Sequence, residues 1–185
     1  MVFYRKYRPQ KIDELDSKEV RDKLISVLSG GEVHALLFTG PKGLGKTSAA
    51  RLVAKVLNCE NRQLTINPSE TRLAKGGNSQ LTKKEKISQL SNVKSEALSL
   101  EPCNKCDQCI SISNGSNIDV LEIDGASNRG IDEIRDLREK IKLSAARAQK
   151  KVYIIDEVHM LTTEAFNALL KTLEEPPSHV VFILC

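Results

Sequence analysis

Residues 40–47 read Gly-Pro-Lys-Gly-Leu-Gly-Lys-Thr, the pattern GxxxxGK followed by a hydroxyl residue. Those types at that spacing suit a phosphate cradle. Gly40, Gly43 and Gly45 let the backbone turn tightly and aim N–H groups at an anion. Lys46 would reach the β and γ phosphates of a nucleotide, and the Thr47 hydroxyl would ligate magnesium. Pro41, Lys42, Leu44 and Ser48 complete the expected lining. A glycine-rich turn with a chance lysine is the competing reading.

Two further groups could do chemistry. Asp156-Glu157 closes an apolar run, Val152-Tyr153-Ile154-Ile155. Strand ends in open α/β sheets face the ligand crevice. Asp156 would there hold magnesium, mainly through water, and Glu157 would polarise an attacking water as general base. Alone, such a pair is often only a solvated strand end; downstream of a phosphate loop the two motifs support each other. Cys103, Cys106 and Cys109 form a CxxCxxC run, and Cys59 could supply a fourth thiolate. Four thiolates suit a closed, structural, tetrahedral zinc site, with no catalysis assigned to it. An iron–sulfur cluster is the chemical rival, and unliganded cysteines are the bland one. Cys185 is expected to be a small core residue.

These groups need elements to position them. A helix is expected from a cap at Asp16, with Val20, Leu24, Val27 and Leu28 on its inner face and Gly30-Gly31 stopping it. A buried strand over 35–39 runs into the phosphate loop. A helix over 48–57 follows, with Leu52, Val53, Val56 and Leu57 inward. Strands over 118–123, 151–155 and 180–184 alternate with helices over 131–143 and 162–173. Ile134, Leu137 and Ile141 face inward on the first of these helices. That alternation implies a doubly wound, parallel α/β sheet. Residues 60–102 are polar and nearly free of aromatics, a surface insertion with a weak amphipathic helix over 83–100 or, alternatively, a partner-binding arm.

The bulk properties set limits. With 185 residues the chain can bury one core. A net charge of +4 tolerates a polyanionic partner without demonstrating one. No apolar run approaches a membrane span, and the basic N-terminus lacks a signal sequence's apolar stretch. The expectation is a cytoplasmic, reducing environment without membrane contact, where five cysteines point to metal rather than disulfides.

Arg8-Pro9, the phosphate loop and its helix, CNKCDQC, EIDGASNRGIDEIRDL, and the run from KVYIIDEVHM to EEPPSHVVFIL together resemble the DNA polymerase III gamma/tau family. The resemblance spans nearly the whole chain outside 60–101. It implies an AAA+ P-loop NTPase domain over 1–185, C-terminally truncated, with an insertion over 60–102 and a zinc module over 103–115 completed by Cys59. It further implies an ATPase within a DNA polymerase holoenzyme. Such a protein joins other clamp-loader subunits, opens a sliding clamp and closes it on primed DNA, using ATP, magnesium and zinc. Arg8 and Pro9 match the segment bordering the adenine. Arg129 and the helix starts near Gly130 and Thr162 match positions facing the DNA backbone, where contacts read phosphate rather than base. The insertion is long for the family, and Asp16-Ser17 replaces its usual Gly-Gln. The family's sensor residue, arginine finger, lid and collar lie beyond the final strand. The chain alone is therefore expected to bind ATP loosely and hydrolyse it poorly. A non-catalytic nucleotide- and zinc-binding module and another AAA+ DNA remodeller remain as rival readings.

Overall fold

The computed structural model describes residues 7–30, 33–61, 63–66 and 98–185. Its centre is a four-stranded parallel sheet in the order β1 (Ala35–Leu37), β6 (Val180–Leu184), β5 (Lys151–Asp156), β4 (Val120–Asp124). A separate antiparallel pair joins β2 (Gln63–Ile66) to β3 (Leu98–Glu101). The helices are α1 (Lys18–Ser29), α2 (Lys46–Asn58), α3 (Asp107–Asn114), α4 (Ile131–Ile141) and α5 (Thr163–Glu174). A parallel sheet flanked by helices is the expected fold class.

The continuous apolar runs of β5 and β6 follow from burial on both faces. Val152, Ile154, Val181 and Ile183 join one cluster, with Leu24, Ile25 and Leu28 of α1 and Ala50, Val53 and Val56 of α2. Tyr153, Ile155, Val180 and Phe182 join the other, with Ile134, Leu137 and Ile141 of α4 and Ala165 and Leu169 of α5. Alternate residues of one strand thus serve opposite helical layers. The helix after β1 packs on one face, and those after β4 and β5 on the other. Between β1 and its neighbour β6 the chain changes sides, which leaves a crevice at the carboxyl ends of the strands.

Several local expectations need correction. Ser17, not Asp16, caps α1: its hydroxyl accepts the Val20 amide. Asp16 stands one residue too early for that geometry. The inner face of α1 is Leu24, Ile25 and Leu28, while Val20 and Val27 are 37% and 44% exposed. Two stripes offset by one residue satisfy the same helical period, and packing selects the one carrying Ile25. β1 is shorter than expected and half-exposed, because among the described residues it pairs with β6 alone. β4 starts at Val120; Ile118 is exposed and Asp119 is the buried anchor at the strand entry.

Residues 67–97, most of the expected insertion and of its helix over 83–100, lie outside the described residues. At its far end Leu98–Glu101 is a strand, not the end of a helix, and Leu100 is buried in the α1–α2 core. The apolar Leu100 and the pairing with β2 outweigh the polar composition around them. No helix among the described residues is long and apolar enough to cross a membrane.

Candidate functional site

The phosphate loop runs from the end of β1 into α2. Gly40, Gly43 and Gly45 have φ of 144°, 90° and 82°, values that L side chains rarely adopt, so the turn depends on glycine at these points. The first-turn amides of α2 face the loop's concavity, where a helix N-terminus favours an anion. Lys46 Nζ donates to the carbonyls of Gly40 at 3.0 Å and Pro41 at 3.3 Å, so the ammonium lies over the loop itself.

Asp156 ends β5 on the neighbouring side of the crevice. The Thr47 hydroxyl donates to Asp156 Oδ2 at 2.7 Å, which joins the first turn of α2 to the acidic strand end across 109 residues of sequence. Glu157 follows with φ 50°, a left-handed backbone unusual for glutamate, and its amide donates to Asp156 Oδ1 at 3.0 Å. Its carboxylate stands 3.6 Å from both Lys42 Nζ and His159 Nε2. A cleft of about 610 Å³ opens here, lined among others by Thr39, Gly40, Lys42, Lys46, Glu157 and His159. Cys185 is buried among core residues, as expected, but also touches this cleft. Burial beside Asp156 pushes its thiol up to about 12, so it stays protonated.

Gly125 supports this arrangement and was not visible as a site residue in the sequence. A Cβ there would meet the carbonyl oxygens of Glu157 at 2.8 Å and Asp156 at 3.0 Å. Only glycine lets the β4 end approach β5 so closely, and the Gly125 amide uses the approach to donate to Asp156 O. The following turn is organised by Asp124, whose carboxylate accepts from Ala126 N and Ser127 Oγ. Arg129 is exposed, with Nε donating to Ala126 O, while its carbonyl accepts the Thr162 amide. The starts of α4 at Gly130 and of α5 at Thr162 are thereby neighbours.

Arg8 and Pro9 lie apart from the cleft. They line a small crevice with Gln10, Ser48, Arg51, Leu52, Lys55 and Ser113, beside the first turns of α2. Lys55 is buried and burial pushes its ammonium down in pKa. It donates to Gln10 Oε1 at 2.6 Å and Asn104 Oδ1 at 3.1 Å.

The cysteine cluster forms where the end of α2 meets the turn into α3. The sulfurs of Cys59, Cys103, Cys106 and Cys109 all lie within 4.8 Å of one another. Zinc–sulfur bonds of about 2.3 Å in a tetrahedron place sulfurs about 3.8 Å apart, so the set fits one ion with slight contraction. The amide of Cys103 donates to Cys59 Sγ, and those of Lys105 and Cys106 donate to Cys103 Sγ. Burial raises the thiols of Cys59 and Cys109. At Cys103 burial acts the same way, but the Lys105 and Cys106 amides and neighbouring thiols outweigh it and bring the group down to about 6. These amides favour the thiolate at Cys103, and a dication would hold all four sulfurs deprotonated.

The family model described as DNA polymerase III, delta subunit, matches residues 69–185. The chain is 44% identical to the DNA polymerase III subunit tau of Bacillus subtilis, over 99% of its own length and 27% of that protein. It is 40% identical to the Escherichia coli subunit tau, over 99% of its length and 23% of that protein. It therefore spans about a quarter of these curated relatives. A crystal structure of a gamma subunit-related protein from Thermotoga maritima aligns with a TM-score of 0.42 at 19% identity, covering 88% of this chain and 38% of that one.

Proposed function

This chain belongs to the DNA polymerase III delta-subunit family, and on that premise we propose that it is the nucleotide-binding part of a gamma/tau-type clamp-loader ATPase. Residues 1–185 form its AAA+ domain, with 60–102 as an insertion and 103–115 plus Cys59 as a zinc module. It works in the cytoplasm with other loader subunits, a sliding clamp and primed DNA.

The observation that carries this reading is the Thr47–Asp156 hydrogen bond at 2.7 Å. It sets a hydroxyl and a carboxylate side by side at the mouth of the phosphate loop, the donor pair that magnesium requires. The amides of residues 40–47 and the Lys46 ammonium bind and orient the triphosphate. Thr47 and Asp156 would hold magnesium, which would supply positive charge to the phosphates during transfer. Glu157 orients a water and takes its proton. Lys42 and His159, each 3.6 Å from Glu157, keep that carboxylate over the cleft. The four sulfurs leave room for a single ion, which favours zinc over an iron–sulfur cluster. Cys59, Cys103, Cys106 and Cys109 would hold zinc, which would fasten the turn before α3 to the end of α2 and take no part in hydrolysis.

The test uses the full-length protein with its partner subunits. ATP-dependent placement of the clamp on primed DNA is measured for the natural protein and for Lys46→Ala. We expect the variant to lose both ATP binding and loading. Loading by Lys46→Ala at the natural rate would sink the motor assignment; loss of ATP binding without any loading by the natural protein would leave only a nucleotide-binding module.

A further inference from the structure

The segment that carries Arg8 and Pro9 is gripped by side chains that all stand next to the cysteine cluster. Glu101, two residues before Cys103, accepts the amides of Ile12 at 2.9 Å and Asp13 at 3.0 Å through its two carboxylate oxygens. Asn104, inside the cysteine run, donates from Nδ2 to the Gln10 carbonyl at 2.9 Å. Its Oδ1 accepts from Lys55, four residues before Cys59, and Lys55 also donates to the Gln10 side chain. Gln10 in turn donates from Nε2 to Arg8 O at 3.1 Å. A continuous chain of hydrogen bonds therefore runs from the cysteine turn to the crevice beside the first turns of α2.

The backbone at Asn104 explains why the turn aims this side chain. Its φ is 56°, a conformation that asparagine tolerates better than most residues. That twist lets the Lys105 and Cys106 amides point back at Cys103 Sγ. The direction of the Asn104 carboxamide is thus set by the same turn that presents the sulfurs. Both ends of that carboxamide are used, one as donor and one as acceptor, and the two partners fix its orientation. The acceptors meeting the buried Lys55 ammonium are amide oxygens from Gln10 and Asn104. Loss of Asn104 would leave that charge short of a partner and release the Gln10 backbone together.

We propose that Asn104 is a positioning residue that couples the metal-held cysteine turn to nucleotide binding, by holding Gln10 and hence Arg8 and Pro9 against α2. The proposal rests on the nucleotide-site reading above. Ser48, which follows Thr47, lines the same crevice as Arg8, Pro9 and Gln10, and on that reading the sugar and base of a nucleotide on the loop would lie toward this side. Metal binding then sets the shape of the base side of the site without touching the phosphates.

The test compares the full-length metal-loaded protein with Asn104→Gly, which keeps the left-handed backbone and removes only the carboxamide. Metal content, ATP and ADP affinity by calorimetry, and KM and kcat for ATP are measured. The variant should retain its metal, bind ATP and ADP about five- to twentyfold more weakly, as for two lost net hydrogen bonds, and raise KM with kcat unchanged. Removing metal from the natural protein with a chelator should weaken ATP by at least a similar factor, and removing it from Asn104→Gly should add less, since only the Glu101 grip on residues 12 and 13 remains to be lost. Asn104→Asp, which keeps the acceptor for Lys55, should recover part of the loss. Gln10→Ala should mimic Asn104→Gly and not add to it. Natural affinity in a metal-loaded Asn104→Gly would overturn the coupling. So would equal chelator sensitivity in both proteins, or loss of metal from the variant, since Asn104 would then serve only the cysteine turn. Lys46→Ala is titrated in parallel: if it binds ATP normally the nucleotide reading itself fails, whereas loss there with normal binding in Asn104→Gly removes the coupling alone.

Discussion

The crevice at the carboxyl end of the sheet and the cysteine cluster gather distant residues by opposite means. At the crevice, Thr47 and Asp156 meet because β5 and the helix after β1 are already fixed by two apolar layers and a ladder of parallel hydrogen bonds. The site is a by-product of the core and exists before any ligand arrives. At the cluster, the buried residues touching one another are the cysteines themselves. Leu100 and Ile112 anchor the flanking segment in the aliphatic core, but among the described residues no aliphatic side chain belongs to the cysteine cluster itself. On the zinc reading, an ion would supply the attraction that draws the four sulfurs together. One site is made by the fold; the other helps to make it.

Removing metal should therefore separate the two regions, and it is the largest effect expected. Structural zinc contributes on the order of 10 kcal/mol of binding energy. Cys106→Ser, or exhaustive chelation, should expose amides around residues 100–115 to rapid hydrogen exchange while the amides of β5 and β6 stay protected. Uniform loss of protection across both regions would show that the sheet, too, depends on metal, and the contrast would collapse.

Next comes a change that spares the fold and strikes only the chemistry. Glu157→Gln should bind ATP with natural affinity and lose about 10²- to 10⁴-fold in turnover, the usual range for a lost general base. Single-turnover hydrolysis and an ATP titration check it. Full turnover in this variant would refute the role given to Glu157. Gly125→Ala sharpens the same point from the structural side. Its Cβ would press on the Asp156 and Glu157 carbonyls, so stability should fall by about 1–3 kcal/mol, as for overpacked sites. Turnover should fall with it, since the carboxylates move, and a denaturant midpoint measured beside kcat would show both.

What could be read in the sequence follows the same division. The phosphate loop, the strand before it and the acidic strand end are local patterns, and they name Lys46, Thr47, Asp156 and Glu157 without knowledge of tertiary contacts. The helical layers were legible where one stripe of apolar residues stood alone, as on α4. On α1 two stripes competed, and only packing could choose Ile25 over Val20 and Val27. Gly125, Glu101 and Asn104 were not legible at all. Each matters through a partner far along the chain: Asp156 for Gly125, Ile12 for Glu101, Gln10 for Asn104. Nothing in their immediate neighbours announces such a contact.

Asp119 gives a further, smaller test, because it anchors the entry of β4 as Asp156 ends β5. Its buried carboxylate accepts the amides of Ala146, Arg147 and Ala148 at 2.7, 2.8 and 2.9 Å. Burial opposes the charge, but these amides together with the nearby Lys151 hold the group below the usual aspartate range. A depressed folded value means that the stabilisation is complete above the unfolded pKa of about 3.9 and fades as pH falls through the lower folded value. Asp119→Asn should lose about 1–3 kcal/mol at neutral pH, as for a weakened charged acceptor. The loss should shrink on acidification below pH about 4. A penalty independent of pH would mean that the loop over 144–150 is held by packing instead.

Tyr153 should show the smallest effect, and its sign is informative. The ring stacks on Phe182, with centroids 5.7 Å apart, in the core shared with α4 and α5. Its hydroxyl is buried and finds no hydrogen-bond partner among the described residues. Burial, with Asp119 nearby, pushes the phenol up to about 12, so the group stays neutral throughout the working range. An unpaired buried hydroxyl costs about 1–3 kcal/mol, against which its removal leaves only a small void. Tyr153→Phe should therefore leave the protein as stable as before or raise it by up to about 1 kcal/mol, read as an unchanged or higher denaturant midpoint. Metal content and ATP affinity should not move, because Tyr153 itself lines neither the cleft nor the cysteine cluster. A clear loss of stability would mean that the hydroxyl binds an internal water, and the sheet would then rest in part on a polar contact inside this layer.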